Sequence, residues 1–334
     1  MNISMWRKAL AVIPRISKEE WDHLDIISKW LISTRAAVLI MTFLSAAIAG
    51  ILAFRDRSFN IWYWLLLAVG LVIAHATNNL FNDYTDYTRG VDKDNYFRAQ
   101  YGPQPLEHGL MTRRQLLTYI AVTGLIALAI GLALVYLRGG LTLLLLGLGA
   151  FFVLFYTYPL KYIALGELAV LIVWGPLMIG GGYYVITGNW DWGVVIASLP
   201  YALGVTTVIF GKHIDKYNDD NAKGIHTLPV LIGEKAGRYA VMGMVFFQYI
   251  SVVYLIVIRF FTPIMLVVLL AIPALIRIWP IYSHSKPEQE PPGYIPNTWP
   301  LYYVAAAFYH NRSFGLWLLL GLIVDAVLKV YILK

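Results

Sequence analysis

Asn82-Asp83-Tyr84-Thr85-Asp86, with Gly90 and Asp92 close behind, gathers three carboxylates and an amide at the end of a long apolar run. Hard oxygen ligands of this kind suit magnesium, which takes one or two protein carboxylates and leaves its other positions to water or phosphate oxygens. On a helix, residues three, four, seven and eleven apart share a face. His75, Asn78, Asn79, Asn82 and Asp86 therefore form one polar stripe, with Asp83 three residues from Asp86 and Asp92 able to fold back after a break at Gly90. An ionisable side chain at the centre of a membrane helix costs about 2.5–3.5 kcal/mol on insertion scales. One Asp at a helix end would mean only a solvated terminus, but a whole stripe has to face a cavity, and its carboxylates call for a cation.

A second acidic patch lies in Lys212-His213-Ile214-Asp215-Lys216-Tyr217-Asn218-Asp219-Asp220, ahead of Gly224 and Thr227-Leu228-Pro229. Asp215 and Asp219 stand one turn apart and can share a metal. Lys212 and Lys216 repeat that spacing as point charges for phosphate oxygens. Alone, this would be a charged loop of mixed sign. Together, two acidic patches at one end of a helix bundle suit a substrate with a polyanionic head and a greasy tail. Smaller signals surround them. Tyr156 and Lys161 sit in a short connection where Lys161, the sole base, either reaches the same mouth or snorkels. Arg98 is a candidate phosphate clamp, and Arg35 either points into the mouth or snorkels. His213 and His226 read as hydrogen-bonding interface residues. Most of the 23 Tyr and 11 Trp read as interfacial belts and packing, with a subset suited to line a tunnel and stabilise a cation through ring quadrupoles.

The elements that must hold these residues are membrane helices. Of 334 residues, 59% are hydrophobic and 13% charged, against about 25% charged in soluble proteins. Cysteine is absent, which excludes disulfides, thiolate metal sites and a Cys nucleophile. The formal charge of +7 needs no nucleic-acid partner, because Lys and Arg flank membrane spans. Nine stretches have the roughly 20 apolar residues a span requires: near 30–54, 61–82, 115–137, 140–158, 164–187, 192–213, 239–258, 261–279 and 313–332. With this count, nineteen of 26 Lys and Arg fall on the side of the N-terminus, six on the other, and Arg35 inside the first span. The positive-inside rule then makes the N-terminus and the mouth cytoplasmic. The reading is an all-α, polytopic bundle of nine transmembrane helices around a central cavity with cytoplasmic cap loops, a single domain over 1–334. Residues 1–29 lack the apolar core of a signal peptide. There Ser17 and Glu20 form a capping box opening an interfacial helix that presents Trp21, Leu24, Ile27 and Leu31. Pro287 to Pro296 reads as a loop, and Trp299 to His310 as an interfacial or re-entrant helix over the mouth.

Asn82-Asp83-Tyr84-Thr85-Asp86 with Gly90 and Asp92, nine spans and an acidic loop after the sixth resemble the UbiA superfamily of intramembrane prenyltransferases. Gly102-Pro103, Lys161-Tyr162, Leu165-Gly166-Glu167 and Gly224 with Thr227-Leu228 are similar to the subgroup acting on 1,4-dihydroxy-2-naphthoate in menaquinone biosynthesis. The resemblance implies that Mg2+ is held by Asn82, Asp83, Asp86 and Asp92 in one motif and by Asp215 with Asp219 or Asp220 in the other. It places Asn82, Asp86 and Asp215 at the catalytic centre. Lys161, Arg98, Asn79, Lys212 and Tyr156 stand as substrate contacts. The substrates implied are an isoprenyl diphosphate and an aromatic acceptor, in a lipid setting. Two departures stand out. Counted back from Gly224, the family's acids fall at 216 and 220, where this chain has Lys216 and Asp220. Gln104-Pro105-Leu106 occupies a loop where many relatives carry an Arg. Other acceptors (4-hydroxybenzoate, an ether-lipid precursor, a tetrapyrrole), a silent relative, and a cation-coupled transporter remain open alternatives, although transporter acids tend to sit nearer mid-bilayer.

Overall fold

The computed structural model describes residues 2–93, 102–296 and 298–332. Within them the chain is all-α: no strand forms, and one isolated bridge joins Ile163 to His226. Eight helices among the described residues are long and apolar enough to cross a membrane: Ala36–Arg55, Ile61–Thr88, Arg113–Arg138, Gly166–Thr187, Trp192–Asp215, Glu234–Val257, Pro263–Ser283 and Tyr303–Tyr331. The remaining expected stretch is a shorter apolar helix, Gly140–Phe155. At 1.5 Å per residue, its 16 residues reach about 24 Å. Only 11% of the apolar window of Arg113–Arg138 is buried, and Leu143, Leu144, Phe151 and Leu154 on the next helix are exposed. Such surfaces are stable in lipid, where burying apolar area brings little gain. The chain is an integral membrane protein.

Two compact units partition the molecule: Met1–Leu44 with Leu65–Pro159, and Ser45–Trp64 with Leu160–Lys334. The first unit corrects the single interfacial helix expected at the N-terminus. The Ser17–Glu20 capping box forms as read, but its helix spans only Lys18–Asp22. Asp25 then starts another, Ile26–Ser33, by accepting from the backbone of Ile27 and Ser28, and it also accepts from Asn2 N and Trp6 Nε1. One carboxylate thereby joins the first helix, Ile3–Ala11, to the third. Trp21, expected at a lipid interface, is buried with Ala9, Ile32, Leu80, Leu110, Met111 and Leu116 in this unit's core.

The second unit corrects the C-terminal region. Trp299 to His310 is not a separate interfacial or re-entrant helix; from Tyr303 onward it forms the opening turns of one 29-residue helix, Tyr303–Tyr331. The described residues of 284–302 before it hold no regular helix, as expected for Pro287 to Pro296. An aromatic core of Phe210, Tyr282, Tyr294, Tyr302 and Tyr303 with Val241, Val245 and Ile278 fixes the start of that last helix. Gly211, on the sixth-span helix Trp192–Asp215, makes the crossing possible. A Cβ there would sit 2.8 Å from Tyr303 O and 2.9 Å from Val304 Cα, both backbone atoms that cannot step aside.

Gly211→Ala should therefore lower stability by about 1–3 kcal/mol, as overpacking does. Gly243→Ala, whose Cβ meets nothing within 4 Å, should be neutral or stabilising by up to about 1 kcal/mol. Thermal unfolding of both variants in the same detergent checks the pair; equal melting temperatures would refute the close crossing.

Candidate functional site

The polar stripe on Ile61–Thr88 divides by depth. Its lower rungs stitch the first unit together: His75 Nδ1 lies 2.7 Å from Thr42 Oγ1, and Asn78 Nδ2 donates to Val153 O at 3.0 Å. Asn79 Nδ2 donates to Thr34 O at 2.8 Å. Thr34 lies where Ile26–Ser33 gives way to Ala36–Arg55 through Arg35, which sits at φ 54. That left-handed residue shifts the hydrogen-bond register, so that Val38 N goes to Arg35 O, and Asn79 satisfies the carbonyl beside it. Asn79, expected among the substrate contacts, is part of the scaffold that shapes this turn.

The turn aims Arg35 inward. Its guanidinium is ion-paired with Asp83, which resolves the choice between the mouth and snorkelling. Asp83, Asp86 and Asp92 are 2%, 4% and 3% exposed. Asp83, which the resemblance places among the metal ligands, is thus drawn to an internal cation. Asn82 Oδ1 is buried and has no hydrogen-bond partner among the described residues. A sealed carbonyl oxygen beside buried carboxylates is the donor set that a hard divalent ion fits. No three His, Cys, Asp or Glu side chains among the described residues converge as a ready-made metal cage.

The helix end is closed by Gly90 at φ 70, with Gly90 N donating to Tyr87 O at 3.0 Å and Val91 N to Asp86 O at 2.9 Å. This paired closure is a Schellman turn. It returns the chain so that Asp92 is buried, where Gln104 Nε2 donates to it at 3.3 Å. Gln104, which the sequence presents only as a departure from an Arg, is therefore a holder of the first motif. Arg89 stacks 3.3 Å above the Tyr158 ring, which ties the connection carrying Tyr156 to the same end of this unit. Arg98 falls outside the described residues.

In the second unit the acids take other duties. Asp215, expected as a catalytic and metal-binding residue, accepts from Tyr302 N at 3.2 Å, Tyr303 N at 3.0 Å and Val304 N at 3.0 Å. A helix begins with four N–H groups lacking partners and with positive dipolar charge, so this carboxylate caps the last helix from a neighbouring one. Both oxygens are engaged in this cap, a structural duty that the sequence reading of Asp215 as a ligand did not include. Lys286 Nζ stands 3.9 Å from Asp215 and donates to Pro300 O at 2.5 Å. Burial pushes that ammonium below its ordinary value, opposed by the Asp215 charge. Asp220 is buried and paired with Lys216 at 2.8 Å, whereas Asp219 is half-buried. Lys212 is also half-buried.

One residue holds this unit's end together unannounced by any spacing. Glu167 accepts from Leu228 N at 3.2 Å and lies 2.6 Å from His213 Nδ1. It thereby links the start of Gly166–Thr187, the end of Trp192–Asp215 and the loop beyond the second acidic patch. Ile163 and His226 bridge the same loops, which places buried Lys161, on the turn Leu160–Tyr162, beside them.

The model of the UbiA prenyltransferase family matches residues 38–294. A UbiA prenyltransferase domain-containing protein 1 homolog of Drosophila melanogaster is 28% identical over 243 residues, covering 68% of this chain and 62% of that protein. The 1,4-dihydroxy-2-naphthoate octaprenyltransferase of Bacillus subtilis is 26% identical over 87% of this chain and 91% of its own length. The Escherichia coli enzyme of the same name is 28% identical over 63% and 70%. Among solved structures, an apo UbiA homolog from Aeropyrum pernix K1 aligns with a TM-score of 0.65 at 20% identity, over 85% of this chain and 97% of the other. One from Archaeoglobus fulgidus, bound to GPP and Mg2+, gives 0.55 at 16%, over 89% and 99%.

Arg35→Ala removes the guanidinium from a buried carboxylate, and such losses cost about 3–5 kcal/mol. Arg35→Ala with Asp83→Asn should recover much of that. A double-mutant cycle on detergent-solubilised protein reads the coupling, and additive effects would show that the pair does not hold this end of the unit.

Proposed function

The chain belongs to the UbiA prenyltransferase family, and from that premise we propose that it transfers a polyprenyl group from its diphosphate to an aromatic hydroquinone-type acceptor. The observation that carries the reading is the buried, unpartnered Asn82 Oδ1 beside the buried Asp86 carboxylate. In a lipid-embedded helix such groups are costly unless a ligand completes them. Asn82 and Asp86 would hold Mg2+, with Asp92 kept in place by Gln104. Bound there, the ion supplies positive charge to the departing diphosphate oxygens.

The chain's own residues do the rest. Arg35 neutralises Asp83. Lys161, buried on its turn, and Lys212 are the diphosphate contacts, and Tyr156 lies on the connection that Tyr158 ties to the first motif. The allylic C1–O bond breaks with its electron pair passing to the diphosphate. An electron-rich ring carbon of the acceptor then forms the new C–C bond, and the ring proton leaves to the diphosphate or to solvent. Preorganised charge at the leaving group is the main source of acceleration in such steps. The two relatives named 1,4-dihydroxy-2-naphthoate octaprenyltransferases favour a naphthoate acceptor in a menaquinone-type pathway. The whole chain is treated as one catalytic domain, with its N-terminus and acidic ends on the cytoplasmic side, as the distribution of Lys and Arg favours.

Asp86→Ala, at matched expression, should reduce Mg2+-dependent transfer from a radiolabelled polyprenyl diphosphate by about a hundredfold or more. Undiminished transfer would overturn the reading, and a panel of naphthoate, hydroxybenzoate and glycerol-phosphate acceptors identifies the second substrate.

A further inference from the structure

The two acidic helices end in the same local fold, and that fixes their correspondence residue by residue. In the first, Val91 N donates to Asp86 O at 2.9 Å and Gly90 N to Tyr87 O at 3.0 Å. In the second, Ile225 N donates to Asp220 O at 2.8 Å and Gly224 N to Asn221 O at 3.1 Å. Both glycines are left-handed, at φ 70 and φ 66, and both following apolar residues, Val91 and Ile225, are buried. These are two Schellman turns. Each begins from the carbonyl of an aspartate four residues before its glycine, so Asp220 corresponds to Asp86. One turn further back, Lys216 corresponds to Asn82.

That single exchange reverses the chemistry. Asn82 offers a buried carbonyl oxygen without a partner, which can only be completed by a donor or a cation. Lys216 offers an ammonium, which donates and cannot bind a metal. Its Nζ lies 2.8 Å from Asp220 Oδ1, with the two side chains 7% and 3% exposed. Of the other two acids, Asp215 gives both oxygens to backbone N–H groups of the last helix, and Asp219 stands half-buried, off the register that Asp220 shares with Asp86. The charge count points the same way. Residues 212–223 carry three lysines against three aspartates, whereas residues 82–92 carry three aspartates against one arginine.

We infer that the second acidic cluster takes no divalent ion: the Lys216 ammonium is its built-in cation, and the protein binds a single divalent ion, at the first cluster. An ammonium has three N–H donors, and the contact with Asp220 uses one of them. The others suit an anionic oxygen, so this cluster recognises phosphate by direct donation and not through a bridging metal. The inference rests on the diphosphate-transfer reading above.

Manganese is the probe. The full-length protein in detergent, with a non-hydrolysable prenyl diphosphate analogue, is titrated with Mn2+ and read by electron paramagnetic resonance and by metal content after desalting. The wild type should hold one ion per chain, retained in Asp220→Asn and lost in Asp86→Asn. Lys216→Asp should raise the stoichiometry from one to two. Two ions in the wild type, or one that disappears with Asp220→Asn and stays with Asp86→Asn, would overturn the inference whether or not Lys216→Asp folds. Transfer activity of the same wild-type preparation separates the failures. A protein that transfers and holds two ions loses this inference alone; one that neither transfers nor binds Mn2+ loses the reading beneath it too.

Discussion

Ionisable groups inside a membrane protein must find partners within the chain or in a ligand, because the surrounding hydrocarbon offers none. The structure is organised by how each buried acid meets that demand. Asp83 is met by Arg35, Asp220 by Lys216, Asp215 by the N-terminus of the last helix, and Glu167 by His213 and a loop amide. The buried carbonyl of Asn82, in the helix that also carries Asp86, is among the groups that find no such partner among the described residues.

These pairings also build the architecture that carries the site. Asp215 acts four residues beyond Gly211, whose missing side chain lets two helices touch backbone to backbone. Without that approach the carboxylate would not reach the amides of Tyr302, Tyr303 and Val304, and the long helix Tyr303–Tyr331 would start with its N–H groups unsatisfied. Arg35 works comparably in the other unit. Its left-handed backbone breaks the helix, and Asn79 accommodates the break by binding the carbonyl of Thr34. Packing geometry and electrostatics are here one problem solved at the same residues.

Membership of the UbiA prenyltransferase family makes the second cluster informative, because its turn matches the first while its charge does not. A local backbone motif gives a firmer register than counting acids along the chain, which offered both Asp215–Asp219 and Asp215–Asp220 as metal pairs. Once Gly224 is set against Gly90, Asp215 is seen to lie off that register, and its use as a helix cap follows without conflict.

Apolar stretches of about 20 residues and the clustered acids at their ends were enough to read an all-α membrane protein, the first motif, the Ser17–Glu20 capping box and the break at Gly90. Each is a local property, set by neighbours three to five residues away, and so is written in the order of residues. The partners of the acids were not legible. Arg35 with Asp83, Gln104 with Asp92, Glu167 with His213 and Asp215 with Tyr303 stand 48, 12, 46 and 88 positions apart. So does the choice between ligand and scaffold for Asn79 and Asp215, and the fusion of 303–312 with the final span. A carboxylate carries the same charge whether it awaits a metal or closes a helix, and only the packing of distant helices decides which N–H groups or cations come within 3 Å of it.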